Sequence, residues 1–219
     1  MSDIRIQSFT APGFQENGYV VWRAGSDTAV AIDPGSDPES MLALLKAENL
    51  RLEAILLTHA HVDHVEGVPA LRQATGAPIW LHPDDRPLYD AAADQAAWFG
   101  MRIQTLPPID HEFAHGQKLS VAGLQFEVRH VPGHSPGHVI LYLAEAGAAL
   151  VGDVIFFGSV GRTDLPGGSF PRLAKGIRAH VFTLPEDTVL HTGHGPDTDV
   201  GHERATNPFL VPQYGGGLA

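Results

Sequence analysis

Short apolar stretches rich in valine, isoleucine and aromatic residues alternate with glycine and proline breaks through the first part of the chain. Residues 4–9, 18–23 and 28–32 read as strands separated by Pro12-Gly13, Gly25 and Pro34-Gly35, the pattern of an antiparallel meander. Over 38–48 the spacing becomes helical: Met41, Leu42, Leu44 and Leu45 recur on one side, Asp37 stands at the N-cap position and Pro38 at the first helical one. The apolar run 54–57 predicts a strand, 65–75 a helix ended by Gly76, 78–81 a buried strand, and the alanine-rich 83–99 a helix broken at Gly100. A second group of strands is expected at 119–121, 124–131, 138–143 and 149–151, then a helix over 173–182, a last strand over 188–191 and a short helix over 198–206. Segment 167–173 carries no clear pattern. Two strand groups, each followed by helices, predict a layered α/β fold with the helices outside. With no linker in view, 1–219 is expected to form one domain, its tail ordered from Pro208 and loose from about 210.

The run 54–57 leads into Thr58-His59-Ala60-His61-Val62-Asp63-His64, which sets four potential metal ligands within six residues. His59 and His61 lie two apart, so in extended chain both face the same way and can grip one ion. Asp63 and His64 fall at the turn into the next helix, where they can face a second ion. Neither set is complete, so remote residues must supply the rest. His134 lies in a Gly- and Pro-bounded loop after the strand ending near Val131, Asp153 follows 149–151, and His194 follows 188–191. All sit at predicted strand ends with glycine nearby, where backbone can approach an ion closely. His82, His111, His115, His180 and His202 read as surface or hydrogen-bonded histidines, and His138 as packing at a strand start. Asp33, in Ile32-Asp33-Pro34-Gly35, has two readings: it accepts a hydrogen bond from a ligand imidazole, or it is an ordinary turn aspartate. Thr58, beside the first ligand, is a candidate for the same supporting role.

Composition narrows the chemistry. With 43% hydrophobic and 18% charged residues the chain can bury a substantial core. Its formal net charge of -11, from 25 acidic against 14 basic residues with no basic block, argues against nucleic acid and anionic membrane surfaces as partners. The chain has no cysteine, which excludes disulfides, thiolate zinc sites and a cysteine nucleophile. Any metal is therefore held by nitrogen and oxygen, a set that suits zinc, iron or manganese. The N-terminus lacks a signal-peptide pattern and no apolar run approaches the roughly 20 residues needed to cross a bilayer, so the expected compartment is the cytoplasm.

The H-x-H-x-D-H motif with a later histidine, an aspartate and a final histidine resembles the metallo-β-lactamase superfamily at His59, His61, Asp63, His64, His134, Asp153 and His194. That resemblance implies a four-layered αββα sandwich with two divalent metal ions at one edge, zinc foremost and iron or manganese as alternatives. By the family pattern His59, His61 and His134 hold one ion, Asp63, His64 and His194 the other, and Asp153 bridges both. It further implies hydrolysis by a metal-bridging hydroxide that the catalytic Asp63 orients. Within the superfamily, the absence of cysteine sets aside the lactamases that use it, and the bridging aspartate sets the chain apart from true lactamases. Gly152-Asp153-Val154-Ile155-Phe156, Gly158-Ser159-Val160-Gly161-Arg162-Thr163-Asp164 and Gly193-His194-Gly195-Pro196 resemble the short single-domain glyoxalase II branch. The implied substrate is a small thioester or ester, such as the glutathione conjugate S-lactoylglutathione. The longer enzymes of that group hold glutathione with a lysine and a tyrosine after the bridging aspartate and with an added helical region. Here Arg162 stands in that segment, either pairing with a glutathione carboxylate or tied to Asp164. Gly161-Arg162-Thr163-Asp164 also resembles the mononuclear iron persulfide dioxygenases, the alternative function. A lactonase is a further alternative and a non-catalytic metal-binding or sensor protein a distant one. Oligomeric state is not legible.

Overall fold

The computed structural model describes residues 3–211. Its first sheet runs β1 (Ile4–Thr10), β2 (Asn17–Arg23), β3 (Thr28–Ile32), β4 (Arg51–Leu56), β5 (Ile79–Leu81) and β6 (His111–Glu112) in spatial order. The opening meander is antiparallel as expected, whereas β3, β4, β5 and β6 are parallel neighbours. The second sheet contains β7 (Lys118–Val121), β8 (Leu124–His130), β9 (Val139–Leu143), β10 (Ala148–Gly152), β13 (Val189–Thr192) and β14 (Thr198–Asp199). Its spatial order is β14-β13-β10-β9-β8-β7, and β10 and β13 are its parallel pair. A small ribbon, β11 (Ile155–Phe156) with β12 (Ser159–Val160), follows β10.

Alternation along the strands explains why two sheets need helices on both outer faces. Tyr19, Val21, Ala54 and Leu56 point between the sheets and meet Leu124, Phe126, Val128 and Leu141. Their sequence neighbours Val20, Ile55 and Leu57 point the other way, against Met41 and Leu45 of α1 (Pro38–Ala47) and Val68 and Leu71 of α3 (Val68–Thr75). On the far side, Ile140, Ala149 and Val151 pack against α6 (Phe170–Gly176), which continues through a π-helical turn, 177–181. The central strands are thus buried on both faces, which is why they read as continuous apolar runs. Each fully buried leucine, isoleucine or phenylalanine contributes about 1.5–3 kcal/mol. The result is the expected four-layered αββα sandwich.

Departures are local. The helix expected over 65–75 is two, α2 (Val62–Val65) and α3, because Gly67 passes under Pro34-Gly35: a Cβ there would overlap the Gly35 carbonyl, and its N–H donates to Pro34 O at 2.9 Å. The expected helix over 83–99 begins as a tight turn at Pro83–Asp85 and breaks at Ala91 into α4 (Arg86–Asp90) and α5 (Ala92–Trp98). The helix expected over 198–206 opens as β14 and becomes α7 (Val200–Thr206). Leu210, where a loose tail was expected to start, is buried and Val211 N donates to Asn207 O at 3.0 Å, while residues 212–219 of that tail lie outside the described residues. Among the described residues no helix is long and apolar enough to cross a membrane.

Candidate metal centre

The strands deliver their C-terminal ends to one edge. From the first sheet, β3 brings Asp33, and β4 with the turn into α2 brings Thr58 to His64. From the second, the loop after β8 brings His134, β10 brings Asp153 and β13 brings His194. All seven side chains that the sequence grouped converge there. His61 Nδ1 lies 2.8 Å from His134 Nε2, which lies 3.2 Å from His59 Nε2. Beside them Asp63 Oδ2 is 3.3 Å from His194 Nε2 and 3.8 Å from His64 Nε2. Asp153 stands between the groups: Oδ2 is 3.4 Å from His134 Nε2 and 3.6 Å from His194 Nε2, and Oδ1 is 3.3 Å from His64 Nε2.

The surroundings settle which nitrogens carry protons. The Thr58 hydroxyl donates to Asp33 Oδ2 at 2.5 Å, so its oxygen accepts from His59 Nδ1 at 3.1 Å and leaves His59 Nε2 as a lone pair. His134 Nδ1 donates to the Arg162 carbonyl at 2.8 Å, and His64 Nδ1 donates to Asp33 Oδ2 at 3.1 Å. Asp33 thus reaches a candidate ligand directly and another through Thr58, whose N–H it also accepts at 2.7 Å. His138 is more than packing. Its ring stacks on His59 with centroids 4.5 Å apart, and its Nε2 accepts the Asp153 N–H at 3.0 Å.

This donor set fits cations. Facing imidazole nitrogens need a shared proton or a cation between them, and burial resists the proton: it pulls His59 well below its ordinary value and His61 down to about 3. At the neighbouring group the field has the opposite sign. Burial pulls His64 down, but Asp153 and Asp63 outweigh it and hold the ring well above its ordinary value, so positive charge is favoured there. Burial raises Asp153, yet His64, His134 and His194 outweigh it and keep the carboxyl well below the usual range. His64 Nε2 and Asp153 Oδ1 are buried without a hydrogen bond, a pairing of lone-pair atoms that fits a cation between them.

Several supporting residues carry no legible signal in the sequence. Asp85, inside a segment read as helix, accepts from Ala60 N at 3.0 Å, Ser135 Oγ at 2.7 Å and Gly137 N at 2.5 Å, so one carboxylate ties the His59–His61 segment to the His134 loop. Tyr19 Oη donates to Thr192 O at 2.7 Å, and Asn17 Nδ2 donates to Thr192 O and Gly195 O, fixing the His194 loop. Glu16 is fully buried with neither carboxylate oxygen hydrogen-bonded, 3.7 Å from His64 Nδ1, and burial pushes it well above its ordinary value. Of the histidines read as surface or hydrogen-bonded groups, His82 is buried, accepts from Asp84 N at 3.3 Å and stacks on His130 at 4.0 Å. Arg162 forks onto Asp164 at 2.8 and 2.7 Å at the mouth of a 370 Å³ cavity above the centre.

Two facing sheets with a histidine–aspartate centre at their strand ends define a metallo-hydrolase. The chain belongs to the metallo-β-lactamase superfamily, which it matches over residues 11–194. It is 35% identical to the hydroxyacylglutathione hydrolase GloC of Haemophilus influenzae, covering 94% of this chain and 98% of that one. Among solved structures it is similar to the BLEG-1 B3 metallo-β-lactamase, at 39% identity and a TM-score of 0.89 over 94% of this chain and 100% of that one. It is also similar to TTHA1623 in a di-iron-bound form, at 43% identity and a TM-score of 0.84 over 93% and 100%.

Proposed function

We propose that this protein hydrolyses a small acyl thioester or ester, with S-lactoylglutathione as the reference thioester, and that it works with two divalent cations. His59, His61 and His134 would hold one cation and Asp63, His64 and His194 the other, with Asp153 between them. The carrying observation is that Asp153 reaches nitrogens of both groups within 3.6 Å while its Oδ1 has no hydrogen bond. The similarity to a hydroxyacylglutathione hydrolase supports the thioester, and the di-iron relative makes iron a cation to test beside zinc and manganese.

When bound, such cations supply Lewis acidity, acidifying water towards neutrality and drawing charge from the acyl carbonyl. The chain does the rest. Asp63 lines the cavity and accepts a hydrogen bond from the attacking water, aiming its lone pair at the carbonyl carbon. Thr58, Asp33 and the Arg162 carbonyl fix the proton positions of the ligand rings, keeping the donor set assembled between turnovers. The water oxygen bonds to the acyl carbon, the carbon–sulfur bond of the adduct then breaks, and the thiol leaves with a proton that the water gave up, leaving the carboxylic acid. With no cysteine in the chain, this route needs no thiol nucleophile.

Asp153→Asn tests the reading, because it keeps size and removes the charge between the groups. Elemental analysis of protein from its own host is expected to find about two cations per wild-type chain and fewer in the variant, with thioester hydrolysis falling in step. Wild-type occupancy and turnover in the variant would overturn the dinuclear assignment. A β-lactam belongs in the substrate panel because a B3 lactamase is among the similar structures, and glutathione persulfide with an oxygen electrode separates hydrolysis from dioxygenation.

A further inference from the structure

The cavity above the centre has two unlike walls. One is formed by the candidate ligands, including His61, Asp63 and Asp153; the other by Phe14, Leu88, Trp98 and Phe99. Trp98 and Phe99 close α5, and Gly100, at a φ of 70°, turns the chain away immediately after them. They stand 62% and 48% exposed, while Phe14 meets Phe99 edge-on with centroids 5.1 Å apart. Two large aromatic side chains left in water beside a reaction centre, already braced by a third ring, form a preformed shelf for a flat apolar group.

Charge points the same way. Among the described residues lining the cavity, Arg162 is the one basic side chain apart from histidines, and its guanidinium is already forked onto Asp164. The chain as a whole carries a formal charge of -11. A glutathione arm brings carboxylates that meet no free Lys or Arg among the cavity's lining side chains, so pairing them with Arg162 means displacing Asp164. An uncharged aromatic arm meets Trp98 and Phe99 with no such exchange.

We propose that the preferred substrates of this site are acyl thioesters or esters whose leaving arm is an uncharged aryl or arylalkyl group seated on Phe14, Trp98 and Phe99. This rests on the hydrolase reading above and names its substrate class. Water still adds to the acyl carbon, and the products are the carboxylic acid and a free aryl or benzyl thiol or alcohol.

The test pairs two substrates with one scissile bond: S-lactoylglutathione and the lactoyl thioester of benzyl mercaptan, both assayed on metal-loaded protein. The benzyl thioester is expected to give kcat/KM about tenfold higher, chiefly through a lower KM, and Trp98→Ala/Phe99→Ala to bring the ratio of the two towards one. The milder Trp98→Leu, which keeps apolar bulk but loses the flat face, is expected to fall between them. A ratio at or below one in wild type, or a ratio unmoved by the double variant, overturns the proposal. Hydrolysis of neither thioester counts against the hydrolase reading alone. The shelf is then judged by saturation-transfer NMR with benzyl alcohol and reduced glutathione: transfer to the benzyl ring that the double variant abolishes supports it, and equal or stronger transfer to glutathione overturns it.

Discussion

At the scale of the residue, a centre of this kind depends on carboxylates that touch no cation as much as on those that do. Asp85 has no place in the ligand motif, yet its three accepted hydrogen bonds hold Ala60, Ser135 and Gly137 together. Asp85→Ala would leave two buried N–H groups without an acceptor, at a cost of about 2–3 kcal/mol, and would loosen His134 relative to His59 and His61. The expected result is a lower midpoint in urea together with weaker zinc retention against a chelator; unchanged retention would reduce Asp85 to a fold-stabilising role. The ligand-type residues were legible because four of them sit within six positions, a local density that composition alone rarely produces. Asp85 and Glu16 were not legible, since nothing in their immediate neighbours distinguishes a buried carboxylate from an exposed turn residue.

At the scale of the element, the parallel pairing of β10 with β13 sets Gly193 against Asp153, and its N–H donates to Gly152 O at 2.8 Å. A Cβ at Gly193 would overlap Asp153 Oδ1 and come within 2.9 Å of His64 Cε1. Gly193→Ala is therefore expected to push Asp153 aside, weakening cation affinity at least about tenfold while leaving the circular-dichroism spectrum unchanged. A metal-buffer titration indistinguishable from wild type would show that the carboxylate has room to move. Strand positions were well marked by short apolar runs rich in valine and isoleucine between glycine and proline breaks. Helix ends were less so: the break at Gly67 answers to its close approach to Pro34-Gly35, a contact across more than 30 positions of chain that periodicity does not record. The two-residue strands β6, β11, β12 and β14 carry no signal in the sequence because pairs so short have no period to detect.

At the scale of the whole molecule, the buried imidazoles make stability a function of pH. His59, His61 and His138 all titrate below the ordinary 6.5, chiefly through burial. Above that value both folded and unfolded chains hold them neutral and they do not affect the balance. As pH falls through it, the unfolded chain takes up protons first and is stabilised, so folding free energy is lost progressively towards the depressed folded values, about 3 for His61. His64 and His194, held above their ordinary value, oppose the trend, but with cations bound every ligand histidine must be neutral, and acidification then acts in one direction. Calorimetry of the metal-loaded protein is expected to show the melting temperature falling from about pH 7 to pH 5; a flat profile would contradict the linkage of the folded state to neutral imidazoles. The layered architecture was legible from two groups of strands flanked by helices, but the apolar shelf was not, because Phe14 and Trp98 lie 84 positions apart and only the packing of α5 over the centre brings them together.

The proposed ligands are drawn from both sheets, with His59, His61, Asp63 and His64 supplied by the first and His134, Asp153 and His194 by the second. On a ribosome the first sheet emerges well before its counterpart, carrying four ligands and neither site complete. Under the proposed assignment the first cation would be held only once His134 and Asp153 have cleared the exit tunnel, and the second only after His194, so the first sheet alone would not commit to whichever ion it meets. The choice of metal would then fall to a chain whose two sheets have already met.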